Sequence, residues 1–135
     1  MSGYLTDKQY DAVYSVAPRV CVDLIIKTHN GVHLIRRDIQ PYKGKYHLPG
    51  GRVRFRESIA SAIQRIAKTE LGIKVKIESL IGYIEFPREV QGGKKRHSIS
   101  LAFVVRPLGT LASKNYTEKT IHPVHFKFLK ANKLI

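Results

Sequence analysis

The sequence predicts one α/β (α+β) domain in which helices pack on both sides of a mixed β-sheet. Three observations lead to this prediction. A length of 135 residues suits a single compact domain. A hydrophobic fraction of 43% can supply its core. A capped helical pattern, a hairpin pattern, a longer helical pattern and further strands follow one another, and this order is typical of a sheet covered by helices.

The N-terminal segment predicts a short helix from Leu5 to Ala17. Thr6 can cap this helix, and Gln9, three residues later, completes a capping box. Pro18 ends the helix, because a proline disfavours the helical conformation of the residue before it.

A hairpin follows the first helix. The segment from Val20 to Lys27 is apolar on both faces, which predicts a central strand covered on both sides. Asn30-Gly31 predicts a tight turn, and the segment from Val32 to Arg36 predicts the returning strand. The segment from Tyr46 to Gly51 predicts a short strand that runs into a glycine turn.

The main helix is predicted from Ser58 to Leu71. Ile59, Ile63 and Ile66 recur at helical spacing and form its apolar stripe. Gly72 suits the C-terminal cap of this helix.

The C-terminal half predicts three more strands, at Lys74–Phe86, Ser98–Arg106 and His122–Leu129. The segment from Pro87 to His97 is expected to be a basic loop, and the segment from Pro107 to Ile121 is expected to be mostly loop. Because the chain contains no repeat or linker, residues 1–135 are expected to form a single domain.

The composition limits the classes of partner. A net charge of +14, from 24 basic and 10 acidic residues, favours anionic partners. The single cysteine, Cys21, excludes an internal disulfide and a multi-cysteine metal site. The apolar runs are too short to cross a membrane, and Met1-Ser2-Gly3-Tyr4 does not resemble a signal peptide. We therefore expect a cytoplasmic protein without a membrane partner.

Glu70 falls within the apolar stripe of the main helix, at about 100° per residue. A carboxylate that points toward the sheet needs a metal ion or an arginine to offset its desolvation. The alternative is that the end of the helix is exposed and that Glu70 bends into water.

The segment before the main helix carries a second candidate site. Gly50 and Gly51 allow a ligand to approach the backbone closely. Arg52, Arg54 and Arg56 alternate with apolar residues, so an extended chain would place all three on one face as a phosphate clamp. The alternative is a solvated charged edge.

A spaced motif runs from residue 51 to residue 73. Its fixed positions are occupied by Gly51, Glu57, Arg65, Ala67, Glu70, Gly72 and Ile73. This spacing resembles the Nudix box, and the preceding hairpin and the Leu48-Pro49-Gly50-Gly51 sequence are also similar to that family. The resemblance implies a Nudix fold and a hydrolase that acts on nucleoside-diphosphate derivatives.

The motif departs from the usual Nudix box at two carboxylates. Ile66 stands where the family has the glutamate after the arginine, and Thr69 replaces the first of its paired glutamates. GDP-mannose mannosyl hydrolases lack the same two glutamates and keep the last one. The chain resembles this subgroup, which displaces a nucleoside diphosphate from the anomeric carbon of a sugar. The resemblance implies one Mg²⁺ and a nucleotide-sugar substrate.

The resemblance also implies roles for individual residues. Glu70 would hold the Mg²⁺ with the backbone carbonyl of Gly50. Arg52 and Arg65 would stabilise the diphosphate, and Arg37 is a further candidate. Arg65 has a structural alternative, because the arginine of the box often pairs with its glutamate.

The remaining candidate residues concern the sugar, the phosphates, the water and the metal. Asp23 matches an aspartate of the subgroup that acts near the sugar, and a structural carboxylate is the alternative. His122 lies in the region of the general base of the subgroup, with His125 as the nearby alternative. Arg54 and His97 are candidate contacts for substrate phosphate or sugar. Ile121 stands where the subgroup has a metal-binding glutamine, a role that Glu118 could take over.

Two other functions remain open from the sequence. The first is a conventional Nudix pyrophosphohydrolase whose missing ligands come from Glu85, Glu89 or Glu118. The second is a catalytically weak domain that binds nucleotide or RNA through its net charge and the Lys94-Lys95-Arg96 segment. The subgroup resemblance implies a homodimer, and the sequence identifies neither the base nor the sugar.

Overall fold

The computed structural model describes residues 5–29, 31–40, 42–111 and 116–135. The helices are α1 (Asp7–Tyr14), α2 (Ile59–Leu71) and α3 (Pro123–Ala131). The strands are β1 (Arg19–Ile25), β2 (Lys27–Thr28), β3 (Gly31–Val32), β4 (Ile35–Arg36), β5 (Tyr46–His47), β6 (Gly50–Arg52), β7 (Val75–Gln91) and β8 (Lys94–Pro107). Asn30 of the predicted turn, the N-terminal residues 1–4 and residues 112–115 of the predicted loop lie outside the described residues.

A four-stranded sheet in the order β6, β1, β8 and β7 forms the centre of the fold. β1 runs parallel to β8, whereas β6 and β7 run antiparallel to their neighbours. One face packs on α2, and the other face packs on α3 and carries α1. The predicted mixed sheet between helices is therefore confirmed.

α1 and α2 have the predicted caps. Thr6 and Gln9 form the capping box of α1, and Ser58 caps α2. Gly72 ends α2 in the left-handed conformation, at φ 70°. Within the described ranges, no helix is long and apolar enough to cross a membrane.

The predicted basic loop between residues 87 and 97 is wrong, because β7 and β8 continue as one long hairpin. Its tip is Gly92-Gly93, and both glycines have positive φ, as a tight hairpin turn requires. Register shifts between Phe86 and Glu89 accommodate Pro87 on this edge strand. The proline therefore marks a bulge rather than the end of the strand.

The predicted first hairpin and the glycine turn also differ from the structure. The returning strand from Val32 to Arg36 is split into β3 and β4, which pair with β2 and β5 respectively. Gly50 and Gly51 lie in β6, which pairs with β1 at the edge of the central sheet. Pairing with a distant strand keeps these glycines extended, and no local pattern records it.

The predicted last strand from His122 to Leu129 is wrong, because this segment forms α3. Pro123 occupies the first helical position, and His122 Nδ1 accepts a hydrogen bond from Val124 N at 3.2 Å. Ile121, His125 and Leu129 are buried at a spacing of four, which is a helical period. Val124, Phe126 and Phe128 also alternate as they would in a strand, so both the strand period and the helical period fit this short segment.

Candidate active site

Polar groups collect on the face of the central sheet that lies opposite α2. Val22 and Leu24 of β1 pack in the core beneath α2, so Asp23 points to the other side. Ser98 and Ser100 of β8 are buried on the same side as Asp23. We call this side the Asp23 face.

Asp23 is a buried acid whose pKa lies near neutrality. It is 6% exposed, and burial raises the pKa of its carboxyl to about 7. The nearby Ser100 hydroxyl lowers this pKa and Glu89 raises it, by smaller amounts. Ser100 Oγ has no hydrogen-bond partner of normal geometry in the described part of the chain. Asp23 can therefore hold or release a proton near pH 7, about the range in which such an acid is useful in catalysis.

Gly50 lies opposite Asp23 across the β1–β6 pair. The carbonyl of Pro49 accepts a hydrogen bond from Leu24 N at 2.8 Å. Because successive carbonyls of a strand point in opposite directions, the Gly50 carbonyl points outward from the edge of the sheet. This carbonyl is therefore placed to accept a ligand from outside the sheet.

The described end of α2 presents a single carboxylate. Ile66 is 3% exposed and packs against Gly51, whereas Thr69 and Glu70 are exposed. Of the two alternatives for Glu70, the structure has the exposed helix end, because the buried positions of α2 stop at Ala67. Partial desolvation still raises the pKa of Glu70 above its usual value. No group of three acidic, histidine or cysteine side chains in the described ranges is arranged to hold a metal.

Arg65 binds the loop that leads into α2. Its Nε lies 2.8 Å from Glu57 Oε2, and its Nη2 donates to Glu57 Oε1 at 2.9 Å and to the Arg52 carbonyl at 2.8 Å. Glu57 also accepts from Arg54 N at 3.0 Å. The guanidinium of Arg65 holds the pKa of Glu57 at about 2. These contacts make Arg65 a positioning residue for the loop.

The three alternating arginines do not share one face. β6 ends at Arg52, and the chain turns at Phe55 and Arg56, where Arg56 has a φ of 64°. The guanidinium of Arg52 lies 5.6 Å from the ring centroid of Tyr10 and 5.5 Å from that of Tyr14. Arg52 Nη1 also donates to Tyr14 Oη at 3.5 Å and to the Val53 carbonyl at 3.4 Å, so the two rings and these bonds fix the guanidinium.

His97 lies away from the Asp23 face, whereas the basic segment at residues 94–96 is occupied by contacts with α1. His97 alternates with the buried Ser98, so it is on the opposite side of β8. Lys94 and Arg96 both pair with Asp11 of α1, and Arg96 also stacks on a tyrosine of that helix. The basic segment at residues 94–96 therefore holds α1 to the hairpin, which leaves less of it for nucleic acid.

Three histidines meet on the Asp23 face. The ring centroids of His122 and His125 are 5.0 Å apart, and those of His47 and His125 are 5.9 Å apart. Phe86 contacts His125 at 5.5 Å, and it lies opposite Ser98 in the sheet. The pKa of His122 is lowered to about 4, chiefly by burial and to a smaller extent by His47 and Arg37. The sequence prediction of His122, His125 and Arg37 thus gives residues that are close in space.

Sequence reasoning missed two parts of this site. His47 comes from β5, and nothing in the local sequence marks it as a partner of residues almost eighty positions later. Tyr10 belongs to no recognisable motif, although its hydroxyl accepts a hydrogen bond from Arg19 at 2.6 Å and its ring contacts Arg52. The recurrence of tyrosine on one face of the predicted first helix was the available signal for Tyr10.

Comparisons with known proteins identify the family. The NUDIX domain model matches residues 17–134, so the chain belongs to the Nudix family and is a Nudix hydrolase by class. It is 35% identical over 121 residues to the low-salt glycan biosynthesis protein Agl8 of Haloferax volcanii, an alignment that covers 87% of this chain and 75% of that protein. It is 39% identical over 93 residues to the ADP-ribose pyrophosphatase of Methanocaldococcus jannaschii, covering 68% of this chain and 53% of that one.

A solved structure of another protein has the same fold. The crystal structure of the MutT protein from Methanosarcina mazei Go1 superposes with a TM-score of 0.68 at 21% identity, over 87% of this chain and 95% of that chain. The expected Nudix fold is therefore confirmed.

Proposed function

We propose that this Nudix protein releases the free sugar from a nucleoside-diphosphate sugar with the help of one Mg²⁺, in the manner of GDP-mannose mannosyl hydrolases. The observation that carries the proposal is the single carboxylate on α2. Ile66 is buried in the core and Thr69 has no charge, so only Glu70 remains of the three usual positions. A single carboxylate can offset the charge of one metal ion but not that of a cluster of metal ions. Cleavage at carbon needs less positive charge near the phosphorus than attack on phosphorus does.

The residues present fit such an ion. Ile66 contacts Gly51, and Glu70 follows Ile66 by one helical turn on the same side of α2. The Gly50 carbonyl points out from the adjacent sheet edge. Mg²⁺ commonly takes one or two carboxylates and completes its ligands with water and substrate phosphate. When bound, the ion would neutralise charge on the departing diphosphate.

Basic groups of the Asp23 face support a diphosphate leaving group. Arg52 is held in place by Tyr10 and Tyr14, and Arg37 is close enough to His47 and His122 to lower the pKa of both. Fixed cations aimed at the departing oxygens stabilise the transition state more than the bound substrate. We assign Arg52 and Arg37 to the diphosphate.

Asp23 is assigned to the sugar. Its carboxyl is the buried acid of this face, and a hydroxyl-rich ligand offers the hydrogen bonds that replace lost water. Hydrolysis also needs a group that takes a proton from water, and the neutral histidines beside Arg37 supply the candidates, His122 among them.

The test is product analysis of a nucleotide-sugar panel that includes GDP-mannose and ADP-ribose, with Mg²⁺ or with a chelator, in water labelled with ¹⁸O. Free sugar that carries the label, together with nucleoside diphosphate, is the expected result. Glu70→Gln should lower the Mg²⁺-dependent rate by roughly 10²-fold or more. Glu78→Gln, at an exposed carboxylate of β7, is the matched control and should leave the rate unchanged.

A second candidate is a pyrophosphohydrolase, because one relative of this chain is named an ADP-ribose pyrophosphatase. This reaction needs additional metal ligands. Glu89 pairs with Arg19 and Glu118 pairs with Lys130, both at 2.9 Å, so each would have to leave its ion pair. Label on phosphate would establish this candidate, and no turnover at all would leave nucleotide or RNA binding as the function to test.

A further inference from the structure

The three histidines of the Asp23 face make different hydrogen bonds with the backbone. Leu48 N donates to His125 Nδ1 at 3.0 Å, and Val124 N donates to His122 Nδ1 at 3.2 Å. His47 Nδ1 instead lies 2.7 Å from the Leu48 carbonyl oxygen. The backbone of one residue, Leu48, therefore meets two histidines, His125 through its N–H donor and His47 through its carbonyl acceptor.

These partners determine which nitrogen of each neutral ring carries the proton. A backbone N–H only donates, so Nδ1 of His122 and of His125 must be unprotonated, and the proton is on Nε2. A carbonyl oxygen only accepts, so His47 Nδ1 must carry the proton, and Nε2 keeps a lone pair. All three rings are neutral near pH 7, because burial lowers the pKa of each.

The three Nε2 atoms differ in whether they can donate or accept a proton. In the described part of the chain, none of them has a hydrogen-bond partner, and none belongs to the fully buried unsatisfied atoms. His122 and His125 offer N–H donors, which suit phosphate oxygens near Arg37. His47 differs from both, because its Nε2 can accept a proton.

From this geometry we infer that His47 is the proton acceptor of the site, while His122 and His125 act as donors to the substrate. The inference rests on the proposed function for its chemistry and on the backbone contacts for its assignment. It assigns the general base to His47 of β5 and not to His122 at the start of α3, the residue that the sequence resemblance implies. A hydrogen bond on one ring nitrogen commonly fixes the tautomer of a catalytic histidine. This bond decides whether the other ring nitrogen accepts or donates a proton.

In the hydrolytic step, the water oxygen forms a bond to the anomeric carbon while His47 Nε2 takes one proton of that water. The bond between the anomeric carbon and the phosphate oxygen breaks, and its electron pair leaves with the diphosphate. The resulting imidazolium returns its proton to solvent. The Leu48 carbonyl accepts from Nδ1–H throughout, and it favours the protonated ring after transfer.

The first test measures the tautomers directly. Long-range ¹H–¹⁵N correlation spectra of the full chain separate ring nitrogens with and without a proton. We expect an unprotonated Nε2 at His47 and protonated Nε2 atoms at His122 and His125. A protonated Nε2 at His47 would overturn the assignment, and this readout does not depend on turnover of any substrate.

The second test uses His47→Asn. The asparagine amide can still donate to the Leu48 carbonyl from the position of Nδ1, but it has no group at the position of Nε2. With GDP-mannose as probe, kcat should fall by roughly 10²-fold or more with little change in KM. The acidic limb of the wild-type kcat–pH profile should disappear. His29→Asn, in an exposed turn, is the control and should keep full activity.

Two outcomes separate this inference from the proposed function. If wild type releases sugar and His47→Asn retains kcat and its acidic limb, His47 is not the acceptor and the inference is wrong. If no nucleotide sugar in the panel is hydrolysed, the proposed function fails. The NMR tautomers then decide alone whether His47 Nε2 is the accepting nitrogen.

Discussion

Gly50 and Asp23 face each other so closely that a Cβ on residue 50 would lie 2.2 Å from Asp23 Oδ1. The same Cβ would lie 2.6 Å from the Val22 carbonyl oxygen, so backbone as well as side chain would have to move. Gly50, the residue before the motif, thus has to be a glycine because of the buried acid beside it. This relationship links the candidate metal-binding carbonyl and the candidate sugar-binding acid in one structural unit.

Gly50→Ala should destabilise the protein by roughly 1–3 kcal/mol, since overpacking forces the edge strand away from β1. Gly51→Ala is the matched control, because its Cβ would meet only Ile66 Cδ1, at 3.4 Å. Urea unfolding of both variants measures the difference. Equal stabilities for the two variants would contradict the close contact with Asp23.

Asp23→Asn should stabilise the protein at neutral and higher pH. The pKa of the Asp23 carboxyl is about 7 in the folded protein against an ordinary value of 3.8, so folding opposes its ionisation. The cost is absent below about pH 4 and grows until about pH 7, where it is complete. The variant should gain roughly 2–4 kcal/mol at about pH 8 and nothing at about pH 4.

Thermal or urea unfolding across this pH range provides the measurement. Asp38→Asn, at an exposed carboxylate, should leave the pH profile of stability unchanged. If Asp23→Asn also abolishes sugar release, the acid costs stability because the reaction needs it. A gain in stability with full activity would make Asp23 dispensable for the reaction.

Restoring the missing glutamates of the motif should destabilise the protein at one position and have almost no effect at the other. Ile66→Glu places a charge in the core between α2 and β6, and it should cost roughly 3 kcal/mol or more. Thr69→Glu lies on the exposed side and should change stability by less than about 0.5 kcal/mol. Calorimetric unfolding of the pair checks this. Tolerance of Ile66→Glu would mean that the position opens to solvent, which would weaken the one-carboxylate argument.

The parts of the fold that depend on local signals were predictable from the sequence. The capping box of α1 and the two caps of α2 involve residues within a few positions of one another. β6 was missed because pairing with β1 over about thirty positions decides it, and Pro87 was misread because a bulge absorbs it. The site divides in the same way.

The chemistry of the site could be predicted only in outline. The spacing of the motif identified Glu70, and the absence of acids at Ile66 and Thr69 was readable directly. The tautomer of His125 was not readable, because its donor, Leu48 N, lies 77 positions earlier in the chain. The contacts of His47 and His122 are with near neighbours, but sequence patterns give residue types and not the direction of a side chain–backbone hydrogen bond.

His122 should prove separable into a capping role and a chemical role. It caps α3 through Nδ1, and asparagine is an equally good cap whereas alanine is a poor one. His122→Ala should therefore lose about 1 kcal/mol of stability relative to His122→Asn. The pKa of the folded His122 ring is about 4 against an ordinary value of 6.5. The contribution of the ring to stability is therefore present above about pH 6.5 and declines toward about pH 4. Both variants should remove this decline.

Activity of the same two variants distinguishes the roles. If Nε2–H of His122 donates to the diphosphate, His122→Asn should raise KM while the kcat–pH profile keeps its acidic limb, because His47 still accepts the proton. Urea unfolding and steady-state kinetics on one preparation give both readouts. Loss of the acidic limb in His122→Asn would place the base at His122, as the sequence resemblance implies, and would return His47 to a structural contact with Leu48.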